Sequence, residues 1–293
     1  MTSEDPTAPG RDVTTGHATD PDGSATTVTV TFVGNATTLI STGDLTILTD
    51  PNFLHRGQHA YLGHGLVSKR LVEPALSLEQ LPPLDAVVLS HMHGDHWDRV
   101  AQRGLDHELP IVTTPHAAKR LRHRGFHRAL GLGTWQSYTL HGERTRIVAT
   151  SLPGRHAPVW AERLLPPVMG TMLEIGPTDG TVSRRLYISG DTLLIDELNE
   201  IPLRFSAINA GILHLGGTRI PAGDRLPFGL TVTMDARQGA EAVERLKLPL
   251  VIPVHFDDYS VFTSGLGEFT EEMVRRGMAD RILELTRGSS VTV

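Results

Sequence analysis

The run Ser90-His91-Met92-His93-Gly94-Asp95-His96-Trp97-Asp98 packs three imidazoles and a carboxylate into a few residues, directly after the apolar stretch Ala86-Val87-Val88-Leu89. These nitrogen and oxygen donors suit zinc first, with manganese or iron as alternatives. In an extended segment residues i and i+2 project to the same side, so His91 and His93 can grip one ion together. Gly94 reads as a sharp turn, after which Asp95 and His96 project toward a second ion. The chain contains no cysteine, so any further ligand must be histidine or carboxylate.

A strand-end cluster of this kind needs partners from afar, and ligands of open α/β sites sit on the loops beyond strand ends. Three candidates lie just past apolar runs. His156 follows the strand expected over 144–151, Asp191 follows Leu186-Tyr187-Ile188-Ser189-Gly190, and His255 follows Val251-Ile252-Pro253-Val254.

The elements that must position these residues are legible as alternating and apolar runs. Thr27–Val33, Thr37–Ile40 and Leu45–Leu48 read as three strands joined by short turns. Residues 52–72 read as a long surface loop, Glu73–Leu81 as holding a short helix, and Leu84–Leu89 as the strand that feeds the cluster. A helix is expected from Trp97 to Arg103, a strand at Ile111–Thr114, and a helix at His116–Arg124 that ends at Gly125. Strands follow at Gln136–Leu140, Arg144–Ser151, Gly170–Ile175 and Arg185–Ser189. Then come a helix at Thr192–Leu198, a strand at Ala207–His214, and a helix at Ala236–Leu246 capped by Asp235. A strand at Leu250–Val254 and a helix at Gly267–Arg276 complete the chain. Strands outnumber helices, which points to an α/β (α+β) sandwich in one domain over 27–293. The Pro-rich stretches 153–167 and 221–227 read as insertions near a cleft.

Residues 1–26 are rich in Thr, Asp, Gly, Pro and Ser and read as a disordered tail. No stretch has the length of a membrane span or the make-up of a signal peptide, so the expectation is a cytoplasmic protein. The net charge is −6 and the pI near 6.2, which argues against nucleic acid as the main partner. The basic run Lys119-Arg120-Leu121-Arg122-His123-Arg124 reads as a solvated helix face. A small-molecule substrate is expected, and a homo-oligomer is compatible with the sequence.

His-x-His-x-Asp-His at 91–96 resembles the signature of the metallo-β-lactamase superfamily, and the resemblance runs from about Thr27 to the end. The chain looks most like the branch that contains L-ascorbate-6-phosphate lactonase and N-acyl-phosphatidylethanolamine phospholipase D. Phe32-Val33-Gly34-Asn35-Ala36-Thr37, Leu48-Thr49-Asp50-Pro51, Ser189-Gly190-Asp191-Thr192 and Pro253-Val254-His255 carry that likeness. Asn35 stands where that branch often has histidine, a departure outside the ligand set that bears on substrate contacts.

The resemblance implies a four-layer αββα sandwich and two divalent metal ions. His91, His93 and His156 would bind one ion, Asp95, His96 and His255 the other, and Asp191 would bridge them. A metal-bound hydroxide would then cleave an ester-type bond, a lactone or a phosphodiester, with Asp95 and Asp191 serving catalysis through the metals. Asp50 could orient a ligand histidine. His214, which also ends a strand, could touch substrate or support the site. One of Asp257, Asp258 and Tyr259 could donate a proton to a leaving group. The alternatives are a phosphodiesterase or nuclease-like enzyme on a larger phosphorylated substrate, or a non-hydrolytic metal-binding relative.

Overall fold

A computed structural model describes residues 26–63, 65–158, 160, 162, 165–220 and 230–293. The expected tail up to residue 25 and the stretch 221–227 lie outside the described residues.

In chain order the strands are β1 (Val28–Gly34), β2 (Thr37–Thr42), β3 (Leu45–Thr49), β4 (His59–Gly63), β5 (Leu66–Lys69) and β6 (Ala86–Val88). Next come helix α1 (Arg99–Gly104), β7 (Ile111–Thr113), helix α2 (Pro115–Arg122), β8 (Ala129–Gly131), β9 (Ser137–His141), β10 (Thr145–Leu152), β11 (Gly170–Pro177) and β12 (Arg184–Ile188). Helix α3 (Ile201–Arg204), β13 (Ala210–His214), β14 (Arg219–Ile220), β15 (Leu230–Thr231), helix α4 (Ala236–Arg245), β16 (Val251–Val254), helix α5 (Leu266–Arg275) and β17 (Ser290–Thr292) complete the chain. One sheet has seven strands in the order β17-β1-β2-β3-β6-β7-β8, and the other has six in the order β16-β13-β12-β11-β10-β9.

Period-2 alternation decides which residues meet between the sheets. Val28, Val30 and Phe32 of β1, with Ile47 and Val88, face Ile147, Leu173, Leu186, Ile212 and Ile252 across the sandwich. The in-between residues face outward. Leu48, Val87 and Ile111 pack under Ala101, Ala118 and Leu121 of α1 and α2. Met172, Tyr187, Leu213 and Val251 pack under Ala240, Val243, Phe269 and Met273 of α4 and α5. Three apolar layers between four structural layers give the αββα sandwich in one domain. Among the described residues, no helix is long and apolar enough to cross a membrane.

Two expectations need correction. Residues 52–72 are not one loop, because β4 and β5 pair there as an antiparallel hairpin. His and Gly obscured the pattern, since only Ala60, Leu62 and Ser68 are buried in that hairpin. The helix expected at Thr192–Leu198 begins later, as a 3-10 turn over Asp196–Glu200 that runs into α3. Thr192 cannot start it, because its hydroxyl accepts from the Arg155 amide and its amide bonds the Gly190 carbonyl.

Gly94 lies in the expected turn, which the amides of His96 and Trp97 close on the His93 carbonyl, and it also serves close approach: a Cβ there would lie 2.7 Å from the backbone N and O of Tyr61 in β4. Its amide donates to the Tyr61 carbonyl at 2.9 Å. Gly94→Ala should therefore push the hairpin off the cluster, at a cost of about 1–3 kcal/mol. A thermal melt checks this, and the expected fall in midpoint is several degrees, at roughly 2–4 °C per kcal/mol.

Candidate metal centre

All the ligand candidates emerge just past strand ends on one rim of the sandwich. Asp50 follows β3, His91 to His96 follow β6, His156 follows β10, Asp191 follows β12, His214 ends β13 and His255 follows β16. All of them are buried. Backbone strain gathers on the same rim, where Asn35 (φ 53°), Asp50 (φ 36°) and His255 (φ 62°) are left-handed. Such conformations persist where the surroundings over-determine them.

The hydrogen bonds fix which ring atom each histidine presents. His156 Nδ1 lies 2.8 Å from the Asp191 carbonyl oxygen and donates to it, which leaves Nε2 with its lone pair. Ser90 Oγ donates to Asp50 Oδ1 at 3.0 Å and accepts from His91 Nδ1 at 3.0 Å, so His91 likewise offers Nε2. His96 Nδ1 points at Asp50 Oδ2 (3.3 Å) and His255 Nδ1 at the Leu215 carbonyl (3.2 Å), which frees both Nε2 atoms.

Those free atoms converge. His91 Nε2 and His156 Nε2 lie 3.0 and 3.1 Å from His93 Nδ1. His96 Nε2 lies 3.2 Å from His255 Nε2 and 3.3 Å from Asp191 Oδ2, and Asp95 Oδ2 is 3.4 Å from His255 Nε2. Lone pairs held face to face repel unless a cation sits among them. Donors about 2.0–2.1 Å from a zinc ion are separated by roughly 2.9–3.4 Å at angles from 90° to tetrahedral. The observed spacings fall in that range. Asp95 Oδ1 and Asp191 Oδ1 are buried without a hydrogen-bond partner, as metal-facing oxygens would be. The cluster His91, His93, His156 and the cluster Asp95, His96, His255 each form a separate ligand group, and Asp191 joins His91 and His96 between them. The His/Asp cluster can bind metal.

Charge points the same way. Burial works against ionising Asp50, but the charge and hydrogen bonds of His96 and His214 hold its carboxyl down at about 2. Burial likewise opposes ionisation of Asp191, yet His255 and His96 keep it well below the usual carboxylate range. Burial disfavours a charged His96, and the carboxylates of Asp191, Asp50 and Asp95 overcome this and raise it well above the ordinary imidazole value. His91, His93, His156 and His214 are shifted the other way, toward the neutral ring. Burial, reinforced by neighbouring imidazoles, puts His91 well below the ordinary value and His93 at about 3. The carboxylates of Asp50, Asp95 and Asp191 gathered on His96 favour positive charge in this pocket.

Around this centre the structure places residues that the sequence reading left open. His214 is fully buried; its Nε2 lies 3.2 Å from Asp50 Oδ2 and its Nδ1 3.2 Å from Ser189 Oγ. Asn35 is buried beside the cluster: its Nδ2 donates to the Asp95 carbonyl at 2.6 Å, and its own carbonyl accepts from the His255 amide at 2.9 Å. Asp258 is no proton donor, because its buried carboxylate accepts from the Asn35 amide (2.8 Å) and from Arg70 and Arg287. Tyr259 is fixed too, since its hydroxyl donates to Asn52 Oδ1 at 2.9 Å and burial pushes its pKa up. Asp257 pairs with Arg287.

Sequence reasoning missed Thr233, whose Oγ1 donates to Asp191 Oδ2 at 2.9 Å. It lies far along the chain in a segment with no motif. Sequence reasoning also gave Asp98 no role. Its carboxylate caps α1 through the amides of Val100 and Ala101, and also accepts from those of Phe53 and Leu54, which ties the cluster's exit to the loop after β3. An aspartate directly before a helix is a capping signal that could have found it.

An open cleft of about 1090 Å³ reaches His93, between the β4–β5 hairpin and the starts of α1 and α2. Arg120 and Arg124 line it, so the basic run is not wholly a solvated face.

The sequence profile of the beta-lactamase superfamily domain matches residues 46–256. The chain belongs to the beta-lactamase superfamily. Among curated proteins it is similar to a metal-dependent hydrolase of Deinococcus radiodurans, 26% identical over 205 residues that cover 68% of this chain and 77% of that one. A metal-dependent hydrolase of Methanosphaerula palustris is 26% identical over 213 residues, 71% of this chain and 84% of that one. Among solved structures, a possible metal-dependent hydrolase from Veillonella parvula aligns with TM-score 0.73 at 22% identity, over 92% of this chain and 100% of that one. The isothiocyanate hydrolase from Delia radicum gut bacteria aligns with TM-score 0.72 at 20% identity, over 90% of this chain and 98% of that one. These two likenesses are likenesses of fold.

Proposed function

We propose that this superfamily member is a metal-dependent hydrolase that works with two divalent cations, zinc first, on an ester-type bond of a small substrate. The observation that carries the reading is the convergence of seven donor residues at ligand-like spacing around a buried anionic pocket. His91, His93 and His156 would hold one cation, and Asp95, His96 and His255 the other. Asp191 would face both, its free Oδ1 available and its Oδ2 steadied by Thr233. When bound, the cations supply an activated water near neutral pH and stabilise the negative charge that develops on the substrate. The chain's own part is orientation. Asp50 aims His96, the Asp191 carbonyl aims His156, and the Leu215 carbonyl aims His255. The structural commitments of Asp258 and Tyr259 leave proton delivery to solvent at the leaving group.

A hydrolysis screen tests this. Lactones, bis(4-nitrophenyl) phosphate and, because one structural neighbour is an isothiocyanate hydrolase, an aryl isothiocyanate would be offered before and after chelation. Turnover that disappears with chelator and returns with zinc is expected. Equal turnover without metal would overturn the reading.

Acid should act against the metal-free protein. His91, His93, His156 and His214 have folded values below the unfolded value of about 6.5. Below that pH the unfolded chain takes up protons that the fold refuses, so each ring removes stability as pH falls. His96 has the opposite sign: raised above its unfolded value, it adds stability below about 6.5 and loses it as pH rises through the folded value. Four rings outweigh one. The melting midpoint of chelator-treated protein should fall between about pH 7.5 and about pH 5.5, and the gain on adding zinc should be smaller at the lower pH because protons compete for the ligands.

A further inference from the structure

The cleft beside His93 is lined by two unlike sets of side chains. One is basic: Arg99, the first residue of α1, with Arg120 from α2 and Arg124 one turn further on. The other is apolar: Leu54, Ala60, Met92, Trp97, Leu165 and Pro166. Several arginines elsewhere are matched with carboxylates, as in Arg155 with Glu197, Arg185 with Glu174 and Arg245 with Glu241. The three in the cleft have no such partner among the described residues. Arg99 donates to the His59 carbonyl at 3.3 Å and Arg124 to Gln102 Oε1 at 2.7 Å, and both acceptors are neutral. Burial and then the charge of Arg120 lower His116 and Arg124, which places the Arg120 charge near both. Asp98 and Glu162 are the carboxylates in the lining, and the oxygens of Asp98 are already taken by backbone amides.

We propose that Arg99, Arg120 and Arg124 bind the anionic group, a carboxylate or phosphate, of a small substrate whose apolar part lies against the apolar lining residues. This rests on the hydrolase reading, because it names the substrate class of that site. Guanidinium groups suit both anions through paired, charge-assisted hydrogen bonds. A cleft of about 1090 Å³ has the scale of a small-molecule site. The overall charge of −6 and the confinement of the basic lining to three arginines in a cleft with apolar residues favour a small anion over a nucleic acid.

Calorimetry with phenyl phosphate, and benzyl alcohol as the neutral comparator, tests the proposal on chelator-treated and zinc-loaded protein. Phenyl phosphate should bind both forms, at least about tenfold more tightly than benzyl alcohol, since one hydrogen bond to a charged group is worth that much. R120Q/R124Q should weaken phenyl phosphate by about tenfold or more, and R120K, which keeps the charge and loses the paired bonds, should weaken it less than R120Q. Should the double variant fail to fold, R120Q alone carries the comparison. Three results would overturn the proposal: affinity indifferent to the arginines, binding only after zinc loading, or displacement of phenyl phosphate by a single-stranded oligonucleotide with the same arginine dependence. Failure of the hydrolase reading shows differently, as no zinc-dependent turnover while arginine-dependent binding persists.

Discussion

Asp191→Ala should reduce zinc-dependent turnover by about 10³-fold or more, because bridging charge stabilisation is worth several kcal/mol and each ~1.36 kcal/mol is a factor of ten. Asp191 is the one carboxylate that stands within reach of both histidine groups, 3.3 Å from His96 Nε2 and grouped with His91. Its loss should also lower the number of zinc ions retained after dialysis. The folded state should survive, since the Asp191 carbonyl that accepts from His156 belongs to the backbone and is kept. Circular dichroism beside steady-state kinetics separates the two effects. Near-wild-type turnover would remove Asp191 from the chemistry.

Asp50→Asn is the second large effect. The Asp50 carboxylate accepts from the Ser90 amide at 2.7 Å and from Ser90 Oγ at 3.0 Å, and faces His96 Nδ1 at 3.3 Å and His214 Nε2 at 3.2 Å. An amide in its place turns a donor toward a ring that is itself donating. His96 must then rotate or change tautomer, and its Nε2 leaves the ligand position. Partners of this kind are worth about 10–100-fold in metal affinity or activity. The loss should appear mainly in the zinc ion held with His255 and Asp95. A zinc titration should therefore show one step weakened and the other nearly kept. Two equally weakened steps would mean that Asp50 acts on the whole fold rather than through His96.

The residues that converge on the rim were legible because they are polar residues placed where apolar strands end. His156, Asp191 and His255 each stand out against the run before them, and His91 to His96 form a dense local pattern. The sandwich was legible for a similar reason: β1 and β10 alternate, and β6, β12 and β16 read as apolar runs. What the sequence hid is of two kinds. Asn35, Ser90 and Thr233 act through hydrogen bonds to distant residues formed only in three dimensions, and their residue types are common in turns. The β4–β5 hairpin buries too little for its period to show. The proton-donor reading of Asp258 failed because the chain next to His255 folds toward Arg70 and Arg287, the first of which is distant in sequence and close in space. The basic run at 119–124 shows only its own helix in sequence, whereas the cleft's basic lining is completed by Arg99 of another helix.

Whether the rim binds two cations through seven side chains is tested most directly by calorimetric titration of zinc into chelator-treated protein at neutral pH. Saturation at two zinc ions per chain is predicted, with Asp191→Ala disturbing both steps. Saturation at one ion, or two ions whose binding ignores Asp191, would contradict it.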